Sequence, residues 1–162
     1  MVHLNLAHTE PINPAGTSIT LTGAQIWTGL QRKIRFAQEF VPVIESCEVE
    51  SDEGGVVIRR ISIRPGVGPK SEARETVRCY WPSWVDFEQD DGTHIRNVIS
   101  QGPSGEPTDL LMTYMFEYRL PEVEEGAQAE KELQRLKGLA KGAVEKTIET
   151  MREMVRDGRI KE

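Results

Sequence analysis

Charged residues stand where apolar strand faces should run. Along residues 56–64, Val57, Ile61 and Ile63 alternate on one face, and Arg59 lies in the same phase. Ile58 falls instead with the polar set Arg60, Ser62 and Arg64. Along 72–81, Val77, Cys79 and Trp81 share a phase with Glu75. A charge on a core face has to be paired or meet a ligand, because burying it alone is strongly unfavourable. Arg59 and Glu75 are therefore candidate cross-strand partners, with one end anchoring a polar ligand group; the plainer alternative is a solvated position at a cavity mouth. Asn97 shares the phase of Ile95 and Ile99, placing an amide where it can bond a ligand carbonyl or hydroxyl, or neighbouring backbone. His94 stands beside the Asp91-Gly92 turn and faces water by phase. It is the histidine nearest a cavity rim, and imidazole titrates near neutral pH, which makes it a proton-transfer candidate alongside Glu75. The phenol of Tyr114 is a candidate donor to a developing oxyanion.

The walls for such chemistry come from aromatic and flexible apolar residues. Met112, Tyr114, Phe116 and Tyr118 share one face of the segment 109–120, and Met151 and Met154 lie on a helix nearby in the pattern. This composition suits an adaptable apolar pocket, or else ordinary core packing. Trp81, Phe87, Tyr114 and Phe116 are the expected walls, with Met112 and Val144 as further ligand contacts. His3, His8 and His94 are scattered, without ligand spacing, so no metal site is expected. Gly66 to Ser71 is too short for a phosphate loop, and Pro69 removes an amide donor where donors matter. No cofactor is expected.

The elements that must hold these residues follow from periodicity. After an opening strand (about 3–13), Thr22 and Gln25 form a capping-box pattern ahead of Ile26, Leu30 and Ile34. A second short helix holding Phe36 and Phe40 precedes Pro42. From Val43 the period changes to two, with Cys47 and Val49 as a half-buried alternation. Further strands are expected at about 56–64, 72–81, 84–89, 93–101 and 109–120, broken by Gly/Pro/Asp clusters at hairpin spacing. From Ala127 to about Arg156 the apolar residues Leu133, Leu136, Ala140, Val144, Ile148, Met151 and Val155 recur at helical spacing. A helix this long needs a long partner surface, and an antiparallel sheet curled around it supplies one.

The 162 residues fit one domain, 1–162, with 38% apolar and 28% charged side chains. A net charge of −6 argues against a nucleic-acid backbone partner. No stretch approaches the roughly 20 apolar residues of a bilayer span, and the N-terminus does not read as a secretory leader. Membrane insertion is not expected, and Cys47 and Cys79 read as reduced core residues, so the expected location is cytoplasmic.

The segments Leu21 to Leu30 (LTGAQIWTGL), Phe40 to Cys47 (FVPVIESC), Asn97 to Gly102 (NVISQG) and Phe116 to Arg119 (FEYR) carry a resemblance. In the order strand, two short helices, meander and long C-terminal helix, the chain resembles the START-like helix-grip superfamily (SRPBCC), and within it the small AtaL-like branch. The resemblance implies an α+β fold in which a curved antiparallel sheet of about seven strands wraps around a helix at 126–157. It also implies a small hydrophobic or aromatic, polyketide-like ligand held between sheet and helix. If chemistry follows, it is expected to be cyclisation, dehydration or condensation, run by positioning plus a single acid or base. A non-catalytic carrier and a protein-interaction or stress protein with a vestigial cavity remain the alternatives. The outer sheet face is the candidate surface for a partner or a homodimer.

Overall fold

The computed structural model describes residues 1–161. Strand β1 (Val2–Pro11) is followed by helix α1 (Gly23–Arg35) and a single 3₁₀ turn (Ala37–Glu39). Then come β2 (Ile44–Glu53), β3 (Val56–Ile63), β4 (Glu72–Tyr80), β5 (Trp84–Gln89), β6 (His94–Gln101) and β7 (Leu110–Leu120), and the chain ends in α2 (Ala127–Arg156). Among the described residues the strands form a seven-stranded sheet in the order β1-β7-β6-β5-β4-β3-β2, with each neighbouring pair antiparallel. The meander thus runs from edge to edge, and β1 closes it beside β7.

Local chemistry explains the elements. The Thr22 hydroxyl accepts from the Gln25 amide at 3.1 Å while the Gln25 side chain accepts from the Thr22 amide at 3.0 Å, completing the expected capping box. Gly54 and Gly55 turn β2 into β3 at φ of +62° and +78°, a conformation that disfavours side chains. Helix α2 runs 30 residues, about 45 Å, and buries the stripe Leu136, Ala140, Val144, Ile148, Met151 and Met154. Its first half packs on Val2, Leu4, Leu6 and Leu120, its second on α1 and the remaining core. At the α1–α2 crossing a Cβ on Gly29 would lie 2.8 Å from the Met151 side chain, which would have to shift to admit it.

Two expectations about elements change. The second helix is only a 3₁₀ turn; beside it Phe40 is buried, whereas Phe36 is 46% exposed and lies outside the core. Strand β2 does not alternate cleanly, and Val49 is exposed. β2 is an edge strand with register shifts between Ile44 and Ser46 and between Val49 and Ser51, and each extra residue re-aims the side chains that follow.

Candidate functional site

The inner sheet face and α1 enclose a buried polar system built on two charges. Arg59 on β3 lies opposite Glu75 on β4 in register, and its Nε and Nη2 donate to Glu75 Oε1 at 2.9 and 2.7 Å. Both side chains are almost fully buried. Arg59 Nη1 donates to the carbonyls of Lys33 and Ile34 at 3.0 and 2.6 Å, so the guanidinium pins the last turn of α1 to the sheet. A cation at a helix C-terminus is favoured by the orphan carbonyls there. The other Glu75 oxygen accepts from Gln89 Nε2 at 3.0 Å. Arg59 and Glu75 are thus the cross-strand partners that strand phase anticipates. Most of their hydrogen-bonding capacity is engaged within the protein.

Beside this pair lies a residue outside the expected set of site residues. Lys33 on α1 is 5% exposed and donates from Nζ to Asn97 Oδ1 at 2.8 Å. The ammonium sits 5.1 Å from the Phe87 ring centre and 4.9 Å from that of Tyr114. Burial, then the positive charge of Arg59, lowers its pKa from 10.5 to about 7, with Glu75 and Cys47 opposing. The signal was present in the sequence: Lys33 falls seven residues after Ile26 and three after Leu30, on the apolar stripe of α1. Asn97 is 1% exposed, and its Nδ2 is buried with no hydrogen-bond partner among the described residues.

These groups border a cavity of about 110 Å³ between sheet and α2. By this measure one water needs roughly 10–15 Å³, and an apolar cavity of about 150 Å³ accepts benzene, so the space is on the scale of one aromatic ring. Phe87, Ile95, Tyr114, Phe116 and Tyr118 line it from the sheet, and Ala140 and Ala143 from α2. Phe116 stacks on Tyr118 with ring centres 5.5 Å apart and meets Tyr114 edge-on at 6.3 Å. Burial, and then the charge of Glu75, raises the Tyr118 hydroxyl well above the usual phenol range. Gly68, Pro69 and Lys70 of the β3–β4 connection also line the space. That connection is held by Arg135 of α2, which donates to the Val67 carbonyl, and by Lys70, which contacts Gln89, Asp91 and Thr93.

Of the anticipated site residues, Arg59, Glu75, Phe87, Asn97, Tyr114 and Phe116 converge on this cavity. Four others are placed differently. Trp81 is 76% exposed, because the last β4–β5 pair is Tyr80 with Trp84 and residue 81 lies in the turn beyond it, where strand phase lapses. His94 points to the outer face, 3.2 Å from Glu117 and 3.5 Å from Asp86, with the sheet between it and the cavity. Met112 and Val144 are fully buried but do not line the space; they belong to the packed hydrophobic core. Tyr114 contributes its ring, but its hydroxyl donates to Thr147 at 2.7 Å and is not a free oxyanion donor.

The fold and sequence have clear relatives. Over 97% of this chain and 98% of the other, the structure is similar to the Zhui aromatase/cyclase from Streptomyces sp. R1128, with a TM-score of 0.65 at 12% identity. It is also similar to the di-domain ARO/CYC StfQ from the steffimycin biosynthetic pathway, with a TM-score of 0.66 at 14% identity over 96% of this chain. The chain spans 52% of that protein's length. At these identities the likeness establishes the helix-grip fold. In sequence, the chain is 28% identical over 151 residues to the acetylaranotin biosynthesis cluster protein L of Aspergillus terreus, covering 91% of this chain and 87% of the relative. The family model described as acetylaranotin biosynthesis cluster protein L matches residues 6–158, and the chain therefore belongs to the AtaL family.

Proposed function

We propose that the protein binds a small aromatic or polyketide-like molecule in the cavity between its sheet and α2, and promotes cyclisation, dehydration or condensation of that molecule by positioning and proton transfer. The observation that carries this reading is an aromatic-walled cavity with a lysine buried at its edge, whose ammonium among the described residues bonds Asn97 alone. An ammonium held out of water among aromatic rings is unfavourable unless it meets something there. The relatives support the same reading: one is named for a biosynthetic cluster, and the structural neighbours are aromatase/cyclases.

The proton-transfer group in this reading is Lys33. Glu75 serves to hold Arg59 and Gln89, since its oxygens are engaged by them. The cavity holds about one ring as it stands. A multi-ring ligand would need the connection at 64–71 to move, breaking the contact between Arg135 and Val67.

The test is calorimetric titration with anisole, a single-ring probe matched to the cavity, together with native mass spectrometry for a co-purified small molecule. Ala143 lines the cavity from α2, so Ala143→Phe fills it. Binding by the native protein and its loss in Ala143→Phe, with an unchanged circular-dichroism spectrum, is the expected result. No binding, or binding indifferent to Ala143→Phe, would overturn the reading.

A further inference from the structure

We propose that Lys33 and Asn97 together form a site for an ionisable oxygen, so that the ligand class is phenols and enols, bound with the proton moved to Lys33. This inference rests on the cavity reading above and adds the chemistry of the ligand's polar end.

The geometry is that of an unfinished hydrogen-bond set. Asn97 Oδ1 is taken by Lys33 Nζ at 2.8 Å, so the amide orientation leaves Nδ2 as a donor, and Nδ2 is buried without a partner among the described residues. Buried amide donors are almost always satisfied, and an orphan calls for a missing acceptor. Lys33 spends one N–H on Asn97 and turns the rest of its ammonium toward Phe87 and Tyr114. Two donors on adjacent side chains at a cavity wall define a place for an oxygen that carries negative charge.

The step balances within the pair. In its neutral form Lys33 keeps one N–H on Asn97 and its lone pair takes the hydrogen of the ligand O–H; the O–H bond breaks, and its electrons stay on oxygen. The resulting phenolate or enolate accepts from the new ammonium and from Asn97 Nδ2–H. No oxidant, metal or second substrate enters.

The groups that set the field at Lys33 come from every side. They are Arg59 from β3, Glu75 from β4, Cys47 from β2 and the ring of Tyr114 from β7. Lys70 and Tyr118 also border the cavity, and α2 presents Ala140 and Ala143 there. The Glu75 carboxylate is bonded to Arg59, and among the described residues no carboxylate is paired directly to Lys33. An anionic ligand oxygen supplies one.

The experiment uses the intact protein with two single-ring probes, 4-nitrophenol and 4-nitroanisole, which differ by the ionisable hydrogen. The native protein should bind 4-nitrophenol about tenfold more tightly than 4-nitroanisole, the difference expected from one charge-assisted hydrogen bond. Bound 4-nitrophenol should show the yellow phenolate band at a pH where the free probe is mostly phenol. In Lys33→Met the preference and the band should vanish while 4-nitroanisole still binds. If Lys33→Met does not fold, the band in the native protein decides alone. Equal binding of both probes with no phenolate band overturns this inference and leaves the cavity reading standing. Binding of neither probe overturns both.

Discussion

The two faces of the sheet carry similar ion pairs in opposite settings. On the inner face Arg59 and Glu75 face each other across β3 and β4, almost fully buried. On the outer face Arg78 meets Glu88 at 2.8 Å and Arg96 meets Asp86 at 2.9 Å, with Arg78 and Glu88 about half exposed. The residue types match, and the dielectric around them does not. Outside, water screens Arg78 and Glu88, and that pair contributes little. Inside, each charge depends on its partner, and Arg59 also holds the end of α1. The same strand therefore presents inert pairs to solvent and a preorganised polar wall to the cavity.

The sharpest way to break this comparison is to remove one inner charge. Glu75→Gln keeps the shape but leaves Arg59 buried with its charge unpaired, and should lower stability by about 3–5 kcal/mol. Urea unfolding measures this, and a loss below about 1 kcal/mol would mean that water reaches the pair.

A second difference lies in pH. Lys33 titrates near 7 when folded against 10.5 ordinarily, so between these values the unfolded chain binds more protons. Stability should therefore rise with pH across that window, by an amount on the order of a few kcal/mol. Below about pH 7 Lys33 is charged in both states and the full burial penalty remains. Comparison with Lys33→Met isolates the effect: the stability of the native protein should gain on that of the variant from pH 7 toward 10. Parallel curves would place Lys33 in water.

Tyr114→Phe should cost about 0.5–1.5 kcal/mol, because Thr147 loses its partner in the core while the ring wall stays. Aromatic-probe binding should be unaltered, and a large loss of binding would return the hydroxyl to the site. The smallest effect is expected at His94→Ala on the outer face: thermal unfolding changes by no more than about 0.5 kcal/mol, and cavity binding is unchanged.

Much of the wall was legible before any coordinates. Arg59, Glu75 and Asn97 declare themselves because strand period is two and each sits in phase with apolar neighbours. Lys33 was equally legible on α1, at helical rather than strand spacing, and the long Lys stem makes such a position easy to read as a surface residue. Trp81 was misplaced because an alternation carries no mark of where its strand ends. Met112 and Val144 were misplaced for a different reason, since phase tells which face a side chain takes and not whether space lies beyond it.

The amino-acid sequence by itself determined the hairpin meander, the capped α1, the long amphipathic α2 and the inward phase of the charged residues. These depend on contacts between near neighbours and on periods of two and 3.6 residues. Tertiary structure alone decided that Lys33 meets Asn97 across 64 residues of chain, that the Asn97 Nδ2 has no partner among the described residues, and that the gap between sheet and α2 is filled at Met112 and open at Phe87. Those outcomes depend on how two curved surfaces separated in sequence come together, which no local pattern encodes.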